Sequence, residues 1–159
     1  TGWGKSINQI VDTESVQKRL ERGDNSIGVA EVIRGGSDLS IVTWGAMVHV
    51  ALEAAELVSK DGLEVEVIDL RTLLPFDHRT CINSVLRTGR MLVLQESQWT
   101  GGFGHTVSSR ILEEAFWRLE SPPVVVGALD TPVPFSPTLE DHTVPSVAVL
   151  TRHIEKACN

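Results

Sequence analysis

The 159-residue chain has few cysteines and few basic residues, and each shortage excludes a class of protein. Its two cysteines, Cys81 and Cys158, lie far apart, so the sequence predicts neither a disulfide framework nor a CxxC metal site. A reducing compartment is therefore expected. Fourteen lysines and arginines stand against 21 aspartates and glutamates, which gives a net charge of −7. Because no basic cluster interrupts this acidity, non-specific nucleic-acid binding is not expected.

Long apolar runs are also lacking. No segment is long enough to cross a bilayer, and residues 1–15 have no apolar signal-peptide core, so we expect no association with a membrane. What is present, 42% hydrophobic and 22% charged residues, is typical of a soluble protein with a sizeable core. Glycines and polar residues break up residues 1–27, which we predict to be a linker or irregular arm. The organised domain is predicted over residues 28–159.

Residues 63–77 give the clearest indication of the fold. Val65 and Val67 alternate with glutamates before the run becomes fully apolar, which predicts a strand that is solvated at its start and then buried. The strand is expected to end at Asp69. A stiff, charged loop containing Pro75 follows, and after it comes a helix. This order is typical of a parallel α/β sheet.

The remaining elements repeat the alternation of strand and helix. Residues 28–44 are predicted to be a hairpin with its turn at 35–38, which would place an antiparallel strand at the sheet edge. The proline-rich stretch 130–137 is expected to be irregular. The fold class is therefore α/β, a three-layer αβα sandwich with a mostly parallel sheet of about five strands. Further helices are predicted at 46–60, 77–87, about four turns after residue 104, and from residue 145, with strands at 91–94 and 124–129.

Charged side chains follow the predicted strands. Asp69, Arg71 and Asp77 come after the first buried strand, and Glu96 follows the next one. These residues could bind a ligand at the carboxyl ends of the strands. A loop-fixing network or an interface is at least as well supported, because one arginine can clamp two carboxylates. Asp77 is also well placed to cap the helix that it precedes.

Motifs for catalysis are incomplete. The glycines at 101, 102 and 104 precede a helix and could expose N–H groups to an anion, but their spacing matches neither a dinucleotide fingerprint nor a P-loop. A tight strand-to-helix turn is the favoured interpretation. The five histidines lack metal-ligand spacing, and no G-x-S-x-G turn occurs. Trp44, Trp99 and Trp117 are predicted to be core or interface anchors. We assign no catalytic, cofactor-binding or metal-binding residue.

Several segments together resemble one family. Residues 40–48 (SIVTWGAMV) and 67–77 (VIDLRTLLPFD) resemble the opening and the signature loop of the C-terminal domain of transketolase-like enzymes. Glu96, residues 100–104 (TGGFG) and residues 130–135 (DTPVPF) narrow the resemblance. Together they are similar to the beta subunit of the thiamine-diphosphate-dependent decarboxylase component of 2-oxoacid dehydrogenase complexes. The resemblance covers residues 28–157, nearly all of the organised chain.

The resemblance implies a supporting role for this domain. In the full enzyme, thiamine diphosphate and Mg would be bound outside it, between an upstream domain and the alpha subunit, and the catalytic residues would also lie upstream. The implied partners are an alpha subunit, a second beta subunit in a heterotetramer, and the subunit-binding domain of an acyltransferase. We expect that last domain to dock at Glu140, Asp141 and Asn159, although helix capping is the alternative role for Asp141. The implied compartment is the bacterial cytoplasm or the mitochondrial matrix.

The substrate is less narrowly indicated. Residues 100–103 favour a branched-chain 2-oxoacid, residues 131–137 resemble acetoin dehydrogenase, and pyruvate remains open. Two alternatives stand beside this function. One is another transketolase-type enzyme, such as transketolase or deoxyxylulose phosphate synthase. The other is a non-catalytic α/β module that binds a ligand at the sheet's carboxyl end. The fragment alone is expected to be inactive.

Overall fold

The computed structural model describes residues 27–159, so the predicted arm at 1–27 lies almost entirely outside the described residues. The domain boundary at residue 28 stays a prediction. Five strands and five α-helices make up the described part, and a 3₁₀ turn, Phe116–Arg118, extends the third helix. In chain order they are β1 Glu31–Arg34, β2 Leu39–Thr43, α1 Met47–Ser59, β3 Val65–Asp69, α2 His78–Thr88, β4 Met91–Gln98, α3 Phe103–Ala115, β5 Val124–Ala128, α4 Pro137–Thr143 and α5 Val147–Cys158.

The five strands form one mixed sheet in the order β1-β3-β2-β4-β5. The β3–β2, β2–β4 and β4–β5 pairs are parallel, and β1 is antiparallel to β3 at the edge. Two apolar clusters lie on the two faces of the sheet. One contains the buried side chains of α1 and α5, and the other those of α2 and α3. The predicted three-layer α/β architecture is confirmed.

The predicted hairpin at 28–44 is wrong, because β1 and β2 each pair with β3 and not with each other. The connection at 35–38 instead crosses the start of β3. The N–H groups of Ser37 and Asp38 donate to the Glu64 carbonyl at 2.8 and 2.9 Å. Gly36 lies so close to β3 that a Cβ there would stand 2.3 Å from the Glu66 nitrogen. The glycine therefore permits a crossing of two backbones where the sequence suggested a hairpin turn.

Several element ends follow from local signals. Asp77 is the N-cap of α2, as predicted, and Gly89 ends that helix in the left-handed conformation with φ 70°. The last helix begins at Val147 with Ser146 as its N-cap. Residues 130–137 were expected to be irregular, but α4 begins at Pro137. Proline is tolerated at a first helical position because its fixed φ suits the helix and its missing N–H has no helical partner.

Glu66 was expected to be solvated and is instead 3% exposed. Its carboxylate accepts a hydrogen bond from the Ser84 hydroxyl on α2 and pairs with Arg87. The Ser40 hydroxyl on β2 bonds to those of Ser84 and Thr88, at 2.6 and 2.7 Å. The interior strand thus carries a polar network under α2, because both faces of a parallel sheet are covered by helices.

Both cysteine thiols are free, and they differ in accessibility. Cys81 lies in the core under α2, where burial raises the pKa of its thiol to about 12. Cys158 is only half-buried, near the end of α5. Across residues 27–159, helices are either too short or too polar to cross a bilayer.

Candidate functional surface at the carboxyl edge of the sheet

Four parallel strands end at the same edge of the sheet, and the loops that follow β3, β4 and β5 form one surface there. We call this surface the carboxyl edge and define it by residues 70–77, 96–102 and 129–136. It carries most of the charged residues that the sequence singled out. Its geometry is set by contacts between the loops.

Residues 70–77 are held by hydrogen bonds to backbone N–H groups. The Asp69 carboxylate accepts from the Arg71 N–H at 2.9 Å, within the same turn. Arg71 is exposed, and its backbone has a φ of 60°. It forms no ion pair with Asp69 or Asp77 within the described part of the chain. An arginine clamp is therefore not what fixes this loop, because backbone donors already satisfy both carboxylates. An interface role for these residues stays a prediction.

Asp77 connects three parts of the fold. Its carboxylate accepts from the Thr80 N–H at 3.1 Å and the Thr80 hydroxyl at 2.6 Å, which caps α2. It also accepts from the Ala30 N–H at 3.2 Å, just before β1. Burial raises the pKa of Asp77, but the hydrogen bonds from Thr80 and Ala30 outweigh it and hold the pKa below its usual value. Asp77 is therefore an ionised structural residue at neutral pH.

An aromatic cluster joins the loops after β2, β3 and β4. The Phe103 ring contacts Trp44 edge-on at 6.2 Å and Phe76 at 6.1 Å between ring centroids. All three side chains pack against the core cluster that includes α2 and α3. Such ring pairs contribute about 0.5–1.5 kcal/mol each beyond their buried area. Trp44 is thus a core anchor, as the sequence predicted.

The loops after β4 and β5 are tied to each other. Thr100 donates from its N–H and its hydroxyl to the Asp130 carboxylate, at 2.9 and 2.6 Å. These two hydrogen bonds lower the pKa of Asp130. The Gln98 side chain donates to the Thr131 carbonyl at 2.7 Å. The two loops therefore present one continuous surface.

Trp99 is fixed on this surface with half of its area exposed. Its indole N–H donates to the Val125 carbonyl at 3.1 Å, and its backbone N–H donates to the Ala128 carbonyl at 2.9 Å. The His105 ring lies edge-on to it at 4.7 Å and hydrogen-bonds to the Trp99 carbonyl at 2.8 Å. With 51% of the residue exposed, Trp99 suits the predicted role of an interface anchor.

Polar and apolar side chains line a cavity between the end of β4 and α4. The cavity measures about 350 Å³, and both Glu96 and Glu140 line it, although 44 residues separate them in sequence. Two of its apolar lining residues, Leu129 and Val133, are more than half exposed, and so are Phe135 and Leu139 in the following segment. Exposed apolar surface rimmed by polar groups is typical of a contact with another protein.

The three predicted docking residues do not form one patch. Glu140 and Asp141 lie in α4, beside the carboxyl edge. Asn159 follows α5, whose 12 residues span about 18 Å back across the sheet. Burial raises the pKa of the neighbouring Cys158 thiol, and smaller effects on this pKa come from the charges of Arg90 and Asp38, which precede β4 and β2. Asn159 therefore lies at the opposite edge of the sheet, and only Glu140 and Asp141 remain candidates for a shared surface.

The glycine loop packs on Gln95, a residue that sequence reasoning missed. Gln95 is fully buried at the end of an otherwise apolar run in β4. Its side-chain oxygen accepts from the Gly104 N–H at 2.6 Å, so that N–H is not available to an anion. This contact supports the interpretation of the glycine loop as a tight turn rather than as a phosphate-binding site. The one signal in the sequence was a glutamine within a buried strand.

Comparison with known proteins gives matches over most of the chain. Residues 28–150 match the family described as the C-terminal domain of transketolase. The chain is 46% identical over 121 residues to the acetoin:2,6-dichlorophenolindophenol oxidoreductase subunit beta of Cupriavidus necator, covering 76% of this chain and 36% of that protein. It is 49% identical over 110 residues to the pyruvate dehydrogenase E1 component subunit beta of Bacillus subtilis, covering 69% and 34%.

A solved structure agrees with these sequence matches. The chain superposes on a split-gene transketolase, described as an inactive beta4 tetramer, with a TM-score of 0.67 and 28% identity. The match covers 84% of this chain and 42% of that one. The chain thus spans only about a third of the length of the two curated relatives described above.

Proposed function

The chain belongs to the transketolase C-terminal domain family, and on this premise we propose that it is the C-terminal domain of a beta subunit. The whole protein would act in the thiamine-diphosphate-dependent decarboxylase component of a 2-oxoacid or acetoin dehydrogenase complex. The observation that carries the proposal is the identity of 46% and 49% to two beta subunits of such enzymes. The 28% identity to a split-gene transketolase keeps another transketolase-type enzyme as the second candidate.

We propose acetoin or pyruvate as the substrate of the whole protein. The two curated relatives are named for these compounds, and neither is named for a branched-chain substrate. The branched-chain preference expected from residues 100–103 therefore has no support from these relatives. A reaction assay that compares the three substrates decides between them.

We further propose that the cofactor is bound outside this domain. Within residues 27–159 there is no group of three acidic, histidine or cysteine side chains arranged to hold a metal ion. At the glycine loop, the Gly104 N–H is bonded to Gln95. Both observations support a cofactor site elsewhere in the whole protein, and we propose a role in assembly for this domain.

The carboxyl edge is the surface that we propose for assembly with an alpha subunit and a second beta subunit. Its exposed apolar side chains support this role, as does the beta4 assembly of the split-gene transketolase. Glu140 and Asp141 add negative charge beside it, which would steer a basic subunit-binding domain of an acyltransferase. Steering of this kind raises the association rate and weakens with salt.

The proposed activity is tested with the reading frame extended upstream of residue 1, co-expressed with an alpha subunit. We expect reduction of 2,6-dichlorophenolindophenol that requires both thiamine diphosphate and either acetoin or pyruvate. Activity with neither compound, or an upstream frame unrelated to a thiamine enzyme, would refute the proposal. Calorimetry on the 159-residue chain alone is expected to show no micromolar binding of thiamine diphosphate.

The docking proposal has its own test. In the assembled complex, Glu140→Gln with Asp141→Asn is expected to slow association with the acyltransferase domain and to flatten its salt dependence. Glu155→Gln on α5, where the residue is exposed like Asp141, is the control for loss of a carboxylate elsewhere on the surface and should leave both unchanged. If the double variant associates with the acyltransferase domain at the same rate and with the same salt dependence as the parent, that domain docks elsewhere.

A further inference from the structure

Gln95 is the polar group on which the 96–102 segment is built. Its side-chain N–H donates to the Gln98 carbonyl at 2.8 Å, and its side-chain oxygen accepts from the Gly104 N–H at 2.6 Å. One carboxamide thus holds the segment at its β4 end and at its α3 end. Because Gln95 is fully buried, loss of either bond would leave a polar group unpaired away from water.

Three glycines lie directly against this carboxamide. A Cβ on Gly102 would stand 1.8 Å from the Gln95 side-chain nitrogen, one on Gly104 2.6 Å from its oxygen, and one on Gly127 3.0 Å from its nitrogen. The glycines come from the loop, from α3 and from β5. They leave room for the amide where any side chain would displace it. The conformation of the segment therefore depends on Gln95 and the glycines together.

The segment held in this way displays Trp99. Half of Trp99 is exposed, and its backbone N–H bonds to Ala128, the residue before the exposed Leu129. A rigid, half-exposed aromatic ring in an apolar surround is a typical anchor of a protein contact. Glu96 and Gln98 lie in the same segment, so a change in its shape would move the acidic rim together with the anchor.

We propose that Gln95 is a positioning residue: its carboxamide fixes the shape of the 96–102 segment and thereby the contact of Trp99 with a neighbouring beta subunit. The contact with a second beta subunit rests on the proposed function, and the beta4 assembly of the split-gene transketolase supports this choice of occupant. The hydrogen bonds of Gln95, rather than its volume, are what position the segment.

Two substitutions separate hydrogen bonding from volume. Gln95→Met keeps a similar length but removes both hydrogen bonds. In Gln95→Glu, a protonated carboxyl has one donor and one acceptor and can replace both bonds, whereas the carboxylate has no donor for the Gln98 carbonyl. Burial favours the neutral carboxyl. The glutamate variant should therefore behave like the parent at acidic pH. At alkaline pH it should lose the bond to the Gln98 carbonyl, while its carboxylate still accepts from the Gly104 N–H.

Two measurements on the 159-residue chain test the proposal. Hydrogen exchange at the Trp99 and Gly104 amides should be about tenfold faster in Gln95→Met at every pH, after correction for intrinsic rates. In Gln95→Glu only the Trp99 amide should exchange faster, and only at higher pH, because the carboxylate still accepts from the Gly104 N–H. Sedimentation should show self-association weakened about tenfold in Gln95→Met, because the anchor is displaced. Trp99→Ala should weaken self-association while leaving the Gly104 amide protected.

The outcomes distinguish this inference from the proposed function. If the parent chain stays monomeric at high concentration, the proposed assembly with a second beta subunit is refuted. The proposed contact of Trp99 with that subunit is then refuted as well. Self-association of the parent that Gln95→Met leaves unchanged refutes the positioning role alone. Exchange that is equal in the parent and in Gln95→Met shows that packing volume sets the segment and overturns the role of the hydrogen bonds.

Discussion

Replacing Asp77 with alanine should destabilise the domain more than the loss of an exposed charge would. The carboxylate caps α2 through Thr80, and such a cap stabilises a protein by about 0.5–2 kcal/mol. It also accepts from the N–H of Ala30, a residue that is only 9% exposed. Leaving such a donor unpaired costs about 1–3 kcal/mol. Together these effects predict a loss of about 2–4 kcal/mol in the free energy of unfolding.

Urea unfolding followed by circular dichroism measures this loss. Asp61→Ala is the matched control, because Asp61 is exposed after α1 and its side chain caps nothing. Asp77→Asn keeps an acceptor for the cap and should cost less than Asp77→Ala. A loss in Asp77→Ala no larger than in the control would refute the reasoning from these hydrogen bonds.

The same variant predicts a dependence on pH. The pKa of Asp77 is lowered in the folded chain, so its charge stabilises the fold above the unfolded pKa of about 3.9. That contribution is lost as the pH falls through the folded pKa. The stability difference between parent and Asp77→Ala should therefore be constant near neutrality and shrink below about pH 4. A difference that grows on acidification would contradict the assigned ionisation.

Substitutions at Gly102, Arg71 and Glu66 test other contacts by the same unfolding measurement. Gly102→Ala should cost about 1–3 kcal/mol or more by overpacking the buried amide, whereas Gly35→Ala, with no heavy atom within 4 Å of its Cβ, should change little. Arg71→Ala should stay within about 0.5 kcal/mol of the parent, and Arg71→Gly should stabilise by about 1 kcal/mol because φ is 60°. Glu66→Ala should cost about 1–3 kcal/mol, because the buried Ser84 hydroxyl loses its carboxylate partner.

Local signals predicted much of the fold. The cap at Asp77 and the stop at Gly89 depend only on neighbouring residues, so the sequence specified them directly. The residues next to β1 do not determine which strand it pairs with, because a short strand followed by two glycines fits either a hairpin or a crossing. What selects the crossing is β3, about 30 residues away, whose Glu64 carbonyl accepts from the 35–38 connection.

The candidate surface was predicted in part. The carboxyl ends of parallel strands bring their loops to one edge, so the presence of residues 69–77 and Glu96 on that edge could be expected from topology alone. The bonding partners of Arg71 could not, because charges close in sequence do not show which backbone donors have already satisfied them. Nor could the distance of Asn159, since the length and direction of α5 set it. Gln95 was missed because its role depends on glycines from three elements.

The labelling rates of the two free thiols would report on two different opening motions of the domain. The thiolate is the form that attacks a thiol reagent, so Cys81, shielded in the core and with its pKa raised to about 12, should react only when α2 leaves the sheet. Cys158 is half-buried at the end of α5 and should react whenever that helix end frays. The ratio of the two labelling rates in one sample would therefore separate fraying at the end of the chain from opening of its core, without any engineered probe.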